Sequence, residues 1–265
     1  MKAHPTAIVS PRARLADDVV VGPYSIIEAG VEIGPGCEIQ SHVLIDTGTR
    51  IGPDTRIGHG AVIGAPPQDF AHSPAISSGV EIGAHNRIRE YVTIHRGTKE
   101  GTATRVGDHC FLMTGAHVGH NAEVGHHVIL TNNVLLAGHV TVGEGAVLGG
   151  GSVFHQHIRI GTRAMVAGGS RFNKDIAPYV LAQAYNQICG INAVGLRRAG
   201  FSSEQRTELR ALYRKIFFSP LTLREVLADC RQSAWSPEAM VMIDFLETSK
   251  RGCCRPDFRN QESQE

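Results

Sequence analysis

One set of this chain's 14 histidines falls on a spacing suited to acid–base chemistry. His117 and His120 stand three residues apart. Gly138 lies 18 residues after His120, and Gln156 lies 18 after Gly138. Asn121, His139 and His157 repeat that interval one place along, and His155 adjoins them. If the backbone itself repeats every 18 residues, stacked strands about 4.8 Å apart gather these side chains into one patch on one corner. A neutral imidazole is available near neutral pH. There it would take a proton from a hydroxyl as that oxygen attacks an activated carbonyl. A backbone N–H such as that of Gly138 would receive the developing oxyanion. Any one of these histidines taken alone reads as a solvated corner residue. A metal site is not expected, because no carboxylate or cysteine adjoins His117 and His120 as a further ligand.

What must position them is a six-residue period. Every sixth residue from Val9 to Ile63 is aliphatic, through Leu15, Val21, Ile27, Ile33, Ile39, Ile45, Ile51 and Ile57. A second series runs from Val106 to Phe172 and includes Val118, Leu136 and Phe154. Four residues after each of its early leads comes a small or β-branched residue, such as Cys110, Ala116, Ala122 and Val128. Glycine often follows the lead directly, as at Val118-Gly119 and Val142-Gly143. A helical period of 3.6 does not fit six. The pattern predicts short strands and tight corners, three strands to a coil, with the leads stacked inside. Two stretches interrupt it. One lies between Ile63 and Ile82 and contains Pro66-Pro67-Gln68-Asp69-Phe70. In the other, Glu100–Arg105 lacks an inward aliphatic. Both read as loops that leave the coil, where function commonly resides.

The repeat stops near Pro178. Ser202-x-x-Gln205 and Thr222-x-x-Glu225 then read as capping boxes, and Ser236-Pro237 as an N-cap with a first-turn proline. Leu209, Leu212, Tyr213 and Ile216 follow at helical spacing. The chain thus divides into a β-helix over residues 1–190 and a small helical domain with a flexible tail over 191–265, the tail beginning after Gly252. The helices would cap the open end of the coil. The fold class is mostly β.

Composition narrows the function. There are 26 Lys+Arg against 25 Asp+Glu, a formal net charge of +1, which gives no reason to expect nucleic acid as partner. No long apolar run predicts membrane insertion. Six cysteines without C-x-x-C pairing suit a reducing compartment. Met1-Lys2-Ala3-His4-Pro5 carries no apolar signal segment, so a cytoplasmic location is expected.

The stretch Arg89-Glu90-Tyr91-Val92-Thr93-Ile94-His95-Arg96-Gly97-Thr98 resembles the signature of the acyl-carrier-protein-dependent UDP-N-acetylglucosamine O-acyltransferases of lipid A biosynthesis. Pro67-Gln68-Asp69, Ala116–His120, Leu136–Val140, His155-Gln156, Gly190–Asn192 and Gly195–Arg198 support the likeness, which extends from His4 to about Glu247. It implies a left-handed coil, an exception to the usual right-handed crossover. It implies homotrimers with sites in clefts between neighbours, and acyl carrier protein and a UDP-sugar as partners. No cofactor is implied beyond the carrier thioester, which is a co-substrate. His120 would be the general base and the Gly138 amide the oxyanion donor. Gln68, Asp69, His117, Asn121, His139, His155 and Gln156 would contact the amino sugar and its phosphates. Asn192 and Arg198 would reach the nucleotide end, where arginine's forked donors suit a diphosphate. Gly168 falls where the family sets acyl length, and glycine there leaves room for a longer chain.

The chain also departs from that pattern. Asn121 stands where the family has Asp, Ala71 where it has a substrate-binding lysine, and Val194 where it has an acidic residue. Ala199 stands for an arginine and His157 for a phenylalanine. The sister family that N-acylates a UDP-glucosamine shares the His-Asn pair. Three readings therefore stand: acyl transfer to the 3-hydroxyl of UDP-N-acetylglucosamine, N-acylation of an amino UDP-sugar, and a non-catalytic β-helix that binds acyl carrier protein or nucleotide sugar.

Overall fold

Successive two-residue strands wind into a left-handed triangular prism, and the computed structural model describes residues 1–257 of it. Every third strand belongs to the same parallel sheet. Each two-residue strand from Val20–Val21 onward turns its second residue inward. In Val147–Leu148, for example, Val147 is half-buried and Leu148 has no exposure. The inward leads stack in register up each face, as in the row Ile27, Ile45, Ile63, Ile94, Val118, Leu136, Phe154, Phe172. Phe154 and Phe172 stack at 5.6 Å between ring centroids. The small residues two places before each lead, such as Cys37, Ala116 and Val134, are also buried. Corners turn through a left-handed residue, commonly His or Asn. Asn121, His139 and His157 have φ of 58°, 60° and 65°. These types bear that conformation better than most side chains do.

The three outer faces differ. One carries alternating charge in register: Arg14, Glu32, Arg50, Glu81, Arg105, Glu123. Its ion pairs include Arg14–Glu32 and Arg105–Glu81 at 2.9 Å. The Arg14 hydrogen bond holds the Glu32 carboxyl below its ordinary range. Such exposed pairs contribute little stability each, but they leave this face satisfied without a partner. A second face, called here the histidine face, shows Ile8, Ile26, Leu44 and Val62, then Thr93, His117, Leu135 and Val153. The third shows Lys2, Val20, Glu38, Arg56 and Arg87, then Phe111, Ile129, Val147 and Met165.

The sequence-based reading of two segments is corrected. The first loop does leave the coil, between strands Val62–Ala65 and Gly79–Ile82. The second is shorter than expected, because Ala103–Val106 is strand. Thr104 pairs with Val80 and fills the same inward slot with no exposure, so a small polar residue does an aliphatic's work. Nor does the chain fray after Gly252. Cys253 and Cys254 are 7% and 1% exposed, and residues 252–255 lie along the last coil. The Asp175 N–H donates to Gly252 O, and the Cys254 N–H to Asp175 O. Burial pushes the Cys254 thiol up to about 12. The part of the expected tail beyond residue 257 lies outside the described residues.

Four helices follow: α1 (Ala193–Arg198), α2 (Ser203–Phe217), α3 (Leu223–Arg231) and α4 (Pro237–Glu247). Both expected capping boxes form, at Ser202/Gln205 and Thr222/Glu225. α2 buries Leu209, Leu212, Tyr213 and Ile216 and packs against strand Gln187–Ile191. That strand pairs antiparallel with Val180–Gln183 and ends the parallel winding.

Candidate active site

The corner that follows Val118 carries the chemistry. Gly119 lets two coils close there, since a Cβ on it would lie 2.7 Å from the Ala137 carbonyl carbon. The next residue, His120, lays its imidazole over Gly138 of the following coil. A Cβ at 138 would stand 2.4 Å from His120 Cε1 and 2.5 Å from Nε2. Only glycine therefore permits the observed ring position.

His120 Nδ1 lies 3.2 Å from Asn121 Oδ1. The same oxygen accepts from the Thr98 N–H at 3.0 Å and the Thr98 hydroxyl at 2.9 Å. A backbone N–H can only donate, so it fixes which end of the amide faces inward. The amide oxygen then meets an N–H at His120 Nδ1 and leaves the Nε2 lone pair free. The Asn121 N–H is itself anchored on Thr104 Oγ1 at 2.7 Å. The stretch that reads in the sequence as a loop leaving the coil thus braces the base.

Across the ring, the Gly138 N–H is open. At equivalent corner positions a side chain of the next coil takes that donor: His59 Nδ1 from Ser41, Asp108 Oδ1 from Ala84, His126 Nδ1 from Asp108. At Gly138 no side chain does so among the described residues. A free base and a free amide therefore share one wall of a groove of about 610 Å³.

Gln68, His117, His155 and Gln156 line that groove with them. His117 Nδ1 is 2.8 Å from Thr93 Oγ1, and its ring meets His95 edge-on at 5.2 Å. Burial first, then His95 and His120 as neighbours, push the His117 pKa down to about 4. His95 is also lowered, mainly by burial, and its Nδ1–H donates to Pro66 O at 2.6 Å. Both rings are polar, neutral walls at ordinary pH. His95 lies within the quoted signature yet was not singled out as a site residue. Leu135, Val153, Arg171 and Tyr185 also line the groove unanticipated, since outward positions carry no repeat.

Other expected site residues lie elsewhere. The corner divides the anticipated patch, because the left-handed residues Asn121, His139 and His157 turn away from the groove. His139 meets His120 edge-on at 5.2 Å and stacks on His157 at 4.6 Å. Burial and then the neighbouring His157 lower its pKa. Asp69 is exposed, and its Oδ1 accepts from the Ala71 N–H at 2.9 Å. Asn192 is the N-cap of α1. It accepts from the Gly195 N–H and donates to Arg163 O, each at 3.0 Å. Arg198 ends α1. Gly168 sits on a different corner, where a Cβ would meet Gly150 O at 3.0 Å. None of these lines the groove within one chain. Among the described residues, no three His, Cys, Asp or Glu side chains stand together as a metal site.

The lowered histidines make stability depend on pH. Folded His117 binds its proton only near pH 4, whereas unfolded it does so near 6.5. Between those values the unfolded chain holds more protons, so acidification favours unfolding. The contribution is complete above pH 6.5 and is lost as pH falls toward 4. Tm is expected to drop between pH 7 and pH 5, and His117→Gln should flatten that slope. An unchanged slope in the variant would contradict the assignment.

Comparison with known proteins gives named relatives along nearly the whole chain. Residues 175–254 match a family profile described as UDP N-acetylglucosamine O-acyltransferase, domain 2. Residues 12–47 and 103–138 match the bacterial transferase hexapeptide profile. An acyl-[acyl-carrier-protein]–UDP-N-acetylglucosamine O-acyltransferase from Thermodesulfovibrio yellowstonii is 40% identical over 254 residues, 95% of this chain and 98% of that protein. The protein of the same description from Halorhodospira halophila is 43% identical over 258 residues, 96% of this chain and 99% of that one. Among solved structures, LpxA from Acinetobacter baumannii superposes with a TM-score of 0.91 at 39% identity, covering 96% of this chain and 99% of its own. The UDP-N-acetylglucosamine O-acyltransferase of Moraxella catarrhalis gives 0.92 at 40%, covering 96% and 100%.

Proposed function

Since the chain belongs to the acyl-[acyl-carrier-protein]–UDP-N-acetylglucosamine O-acyltransferase family, we propose that it transfers a 3-hydroxyacyl chain from acyl carrier protein to the 3-hydroxyl of UDP-N-acetylglucosamine, the first step of lipid A biosynthesis. One observation carries the chemistry: His120, locked by Asn121, faces the groove beside the unclaimed Gly138 N–H. His120 Nε2 takes the hydroxyl proton as the sugar oxygen attacks the thioester carbonyl. The carbonyl oxygen gains charge, and the Gly138 N–H donates to it. Collapse breaks the carbon–sulfur bond. The imidazolium returns its proton to the departing thiolate, which leaves an ester and a free carrier thiol. Asn121 orients the ring without adding charge.

The outer faces support a trimer. The charged face pairs its own ions, while the histidine face is largely apolar and the third face is apolar from Phe111 to Met165. Packing one apolar face on the other of a neighbour is a heterologous contact, which a threefold rotation closes into a ring. Such a ring brings a neighbour's Gly168 corner, Asn192 and Arg198 toward the groove to meet the acyl tail and nucleotide. Asp69 and His139 then act at the rim. The helical domain from residue 191 caps the prism. No helix among the described residues is long and apolar enough to cross a membrane, and six free cysteines suit the cytoplasm.

The test is mass spectrometry of products after incubation with mixed acyl carriers, UDP-N-acetylglucosamine and an amino UDP-sugar. An ester on the N-acetylated sugar is expected. An amide on the amino sugar alone would establish the N-acyl reading instead, and no product of either kind would leave only a binding protein.

A further inference from the structure

One residue of the groove is held from far along the chain. His155 opens the corner after Phe154, and its N–H donates to Phe172 O at 2.8 Å. Its imidazole lines the groove. Two groups compete for Nδ1 of that ring. Arg251 Nη2 lies 3.1 Å away, from a position 96 residues later. The Gln156 carbonyl oxygen lies 3.2 Å away. One state of the ring cannot serve both. A guanidinium only donates and a carbonyl only accepts, so Nδ1 must be bare for the first and protonated for the second.

The arginine has the stronger claim. Its contact is the shorter, and a charged donor makes the stronger bond. Its backbone is also pinned on both sides. Ser249 Oγ donates to Asp175 Oδ2 at 2.9 Å. The Asp175 N–H donates to Gly252 O at 2.9 Å, and Asp175 forms a bridge with Cys253. Asp175 is itself buried, and it accepts from the Arg159 N–H at 2.8 Å and from Arg159 Nε at 3.1 Å. Arg251 therefore stands between two residues fixed on the last coil.

A neutral imidazole carries a single N–H. With Nδ1 accepting from Arg251, that N–H sits on Nε2, which has no partner among the described residues. Without Arg251, an Nδ1–H can turn to Gln156 O, and Nε2 becomes a bare acceptor. We infer that Arg251 fixes His155 as a hydrogen-bond donor to a substrate oxygen, so that the docked C-terminal segment completes the site. Arg251 is a positioning residue, since it acts through the imidazole. The accepting oxygen belongs to the sugar or to the hydroxyacyl chain, and the kinetics below tell them apart. This rests on the acyl-transfer reading above.

The test pairs NMR with kinetics on the full chain. Proton–nitrogen correlation spectra of protein labelled in its histidine rings, taken at about pH 8 where an imidazole is neutral, tell a bare ring nitrogen from a protonated one. The signals of His155 are those missing from His155→Gln. Wild type should show a bare Nδ1. Arg251→Met keeps the apolar stem and should shift protons from Nε2 to Nδ1, and Arg251→Lys should restore much of the wild-type pattern. In turnover, Arg251→Met should raise one KM by about 3- to 10-fold, as expected for one lost hydrogen bond, with kcat within about twofold of wild type. The substrate whose KM rises is the one that accepts from Nε2. On a His155→Ala background the same substitution should change that KM by less than about twofold. An unchanged His155 spectrum in Arg251→Met would overturn the inference. So would an equal loss on the His155→Ala background, because Arg251 would then act by itself, or a fall in kcat with both KM values unmoved, which marks a merely structural role. Wild-type protein that acylates nothing would overturn it together with the acyl-transfer reading. A failure of the Arg251 role alone leaves wild-type turnover intact, so the two failures are told apart.

Discussion

His120→Ala should lower kcat by about 10²- to 10⁴-fold, the usual worth of a positioned acid–base group. KM for the sugar should change little, because Gln68, His117 and Gln156 still line the groove. The fold should survive. The ring sits at a corner, outside the stacked leads, and its one side-chain hydrogen bond is to Asn121. Asn121 keeps both Thr98 donors when the ring is gone. The thermal midpoint and the sedimentation coefficient should therefore match those of wild type. Turnover retained above a few per cent would remove His120 from the base role. His117 offers no easy substitute. Its ring is committed to Thr93 through Nδ1, and burial holds its pKa near 4, which makes it a weak base for an alcohol.

The scaffold was legible in the sequence because a coil's interior is a strict one-dimensional stack. Each lead must fit on its copies above and below, so Val118, Leu136 and Phe154 recur at one phase. Outward positions obey no such constraint, which is why Leu135, Val153, Arg171 and Tyr185 carried no signal although they form much of the groove. Thr104 was hidden for a related reason. Its slot is filled by Val80 in the coil before, and the hydroxyl that replaces a methyl there accepts from the Asn121 N–H, far along the chain. The docked Cys253-Cys254 segment depends on partners far back in the chain, Asp175 and Lys174, so no local pattern announced it. At the site, the 18-residue interval brought His120, Gly138 and Gln156 together correctly. It could not show that the next column turns the corner. That requires the left-handed φ at Asn121, His139 and His157, a property of the backbone that an interval does not encode. The Asn121 departure was legible as a change of residue. Its consequence, a neutral lock on the imidazole held by Thr98, arises only where the folded coil brings Thr98 against Asn121.

Gly138→Ala tests the same geometry from the other side of the ring. Gly138 does not occupy the left-handed region, so alanine carries no conformational penalty there. The added methyl would instead overlap the His120 ring, at 2.4 Å from Cε1 and 2.5 Å from Nε2, where carbon atoms prefer about 3.5–4.0 Å. The imidazole can swing toward the open groove, so the fold should tolerate the change with little loss of stability. Swinging breaks the Nδ1 contact with Asn121 and carries Nε2 away from the sugar oxygen. Displacement of a reacting group by about 1 Å can cost on the order of 10²-fold in rate, and kcat should fall by about that much. The backbone N–H at 138 is retained in alanine, so the loss should act through His120 alone. The decisive measurement is a double-mutant cycle. On a His120→Ala background, Gly138→Ala should change kcat by less than about twofold, because the ring it displaces is already gone. Losses that simply multiply would mean that position 138 acts independently of the imidazole, and the close approach of the two residues would then have no part in catalysis.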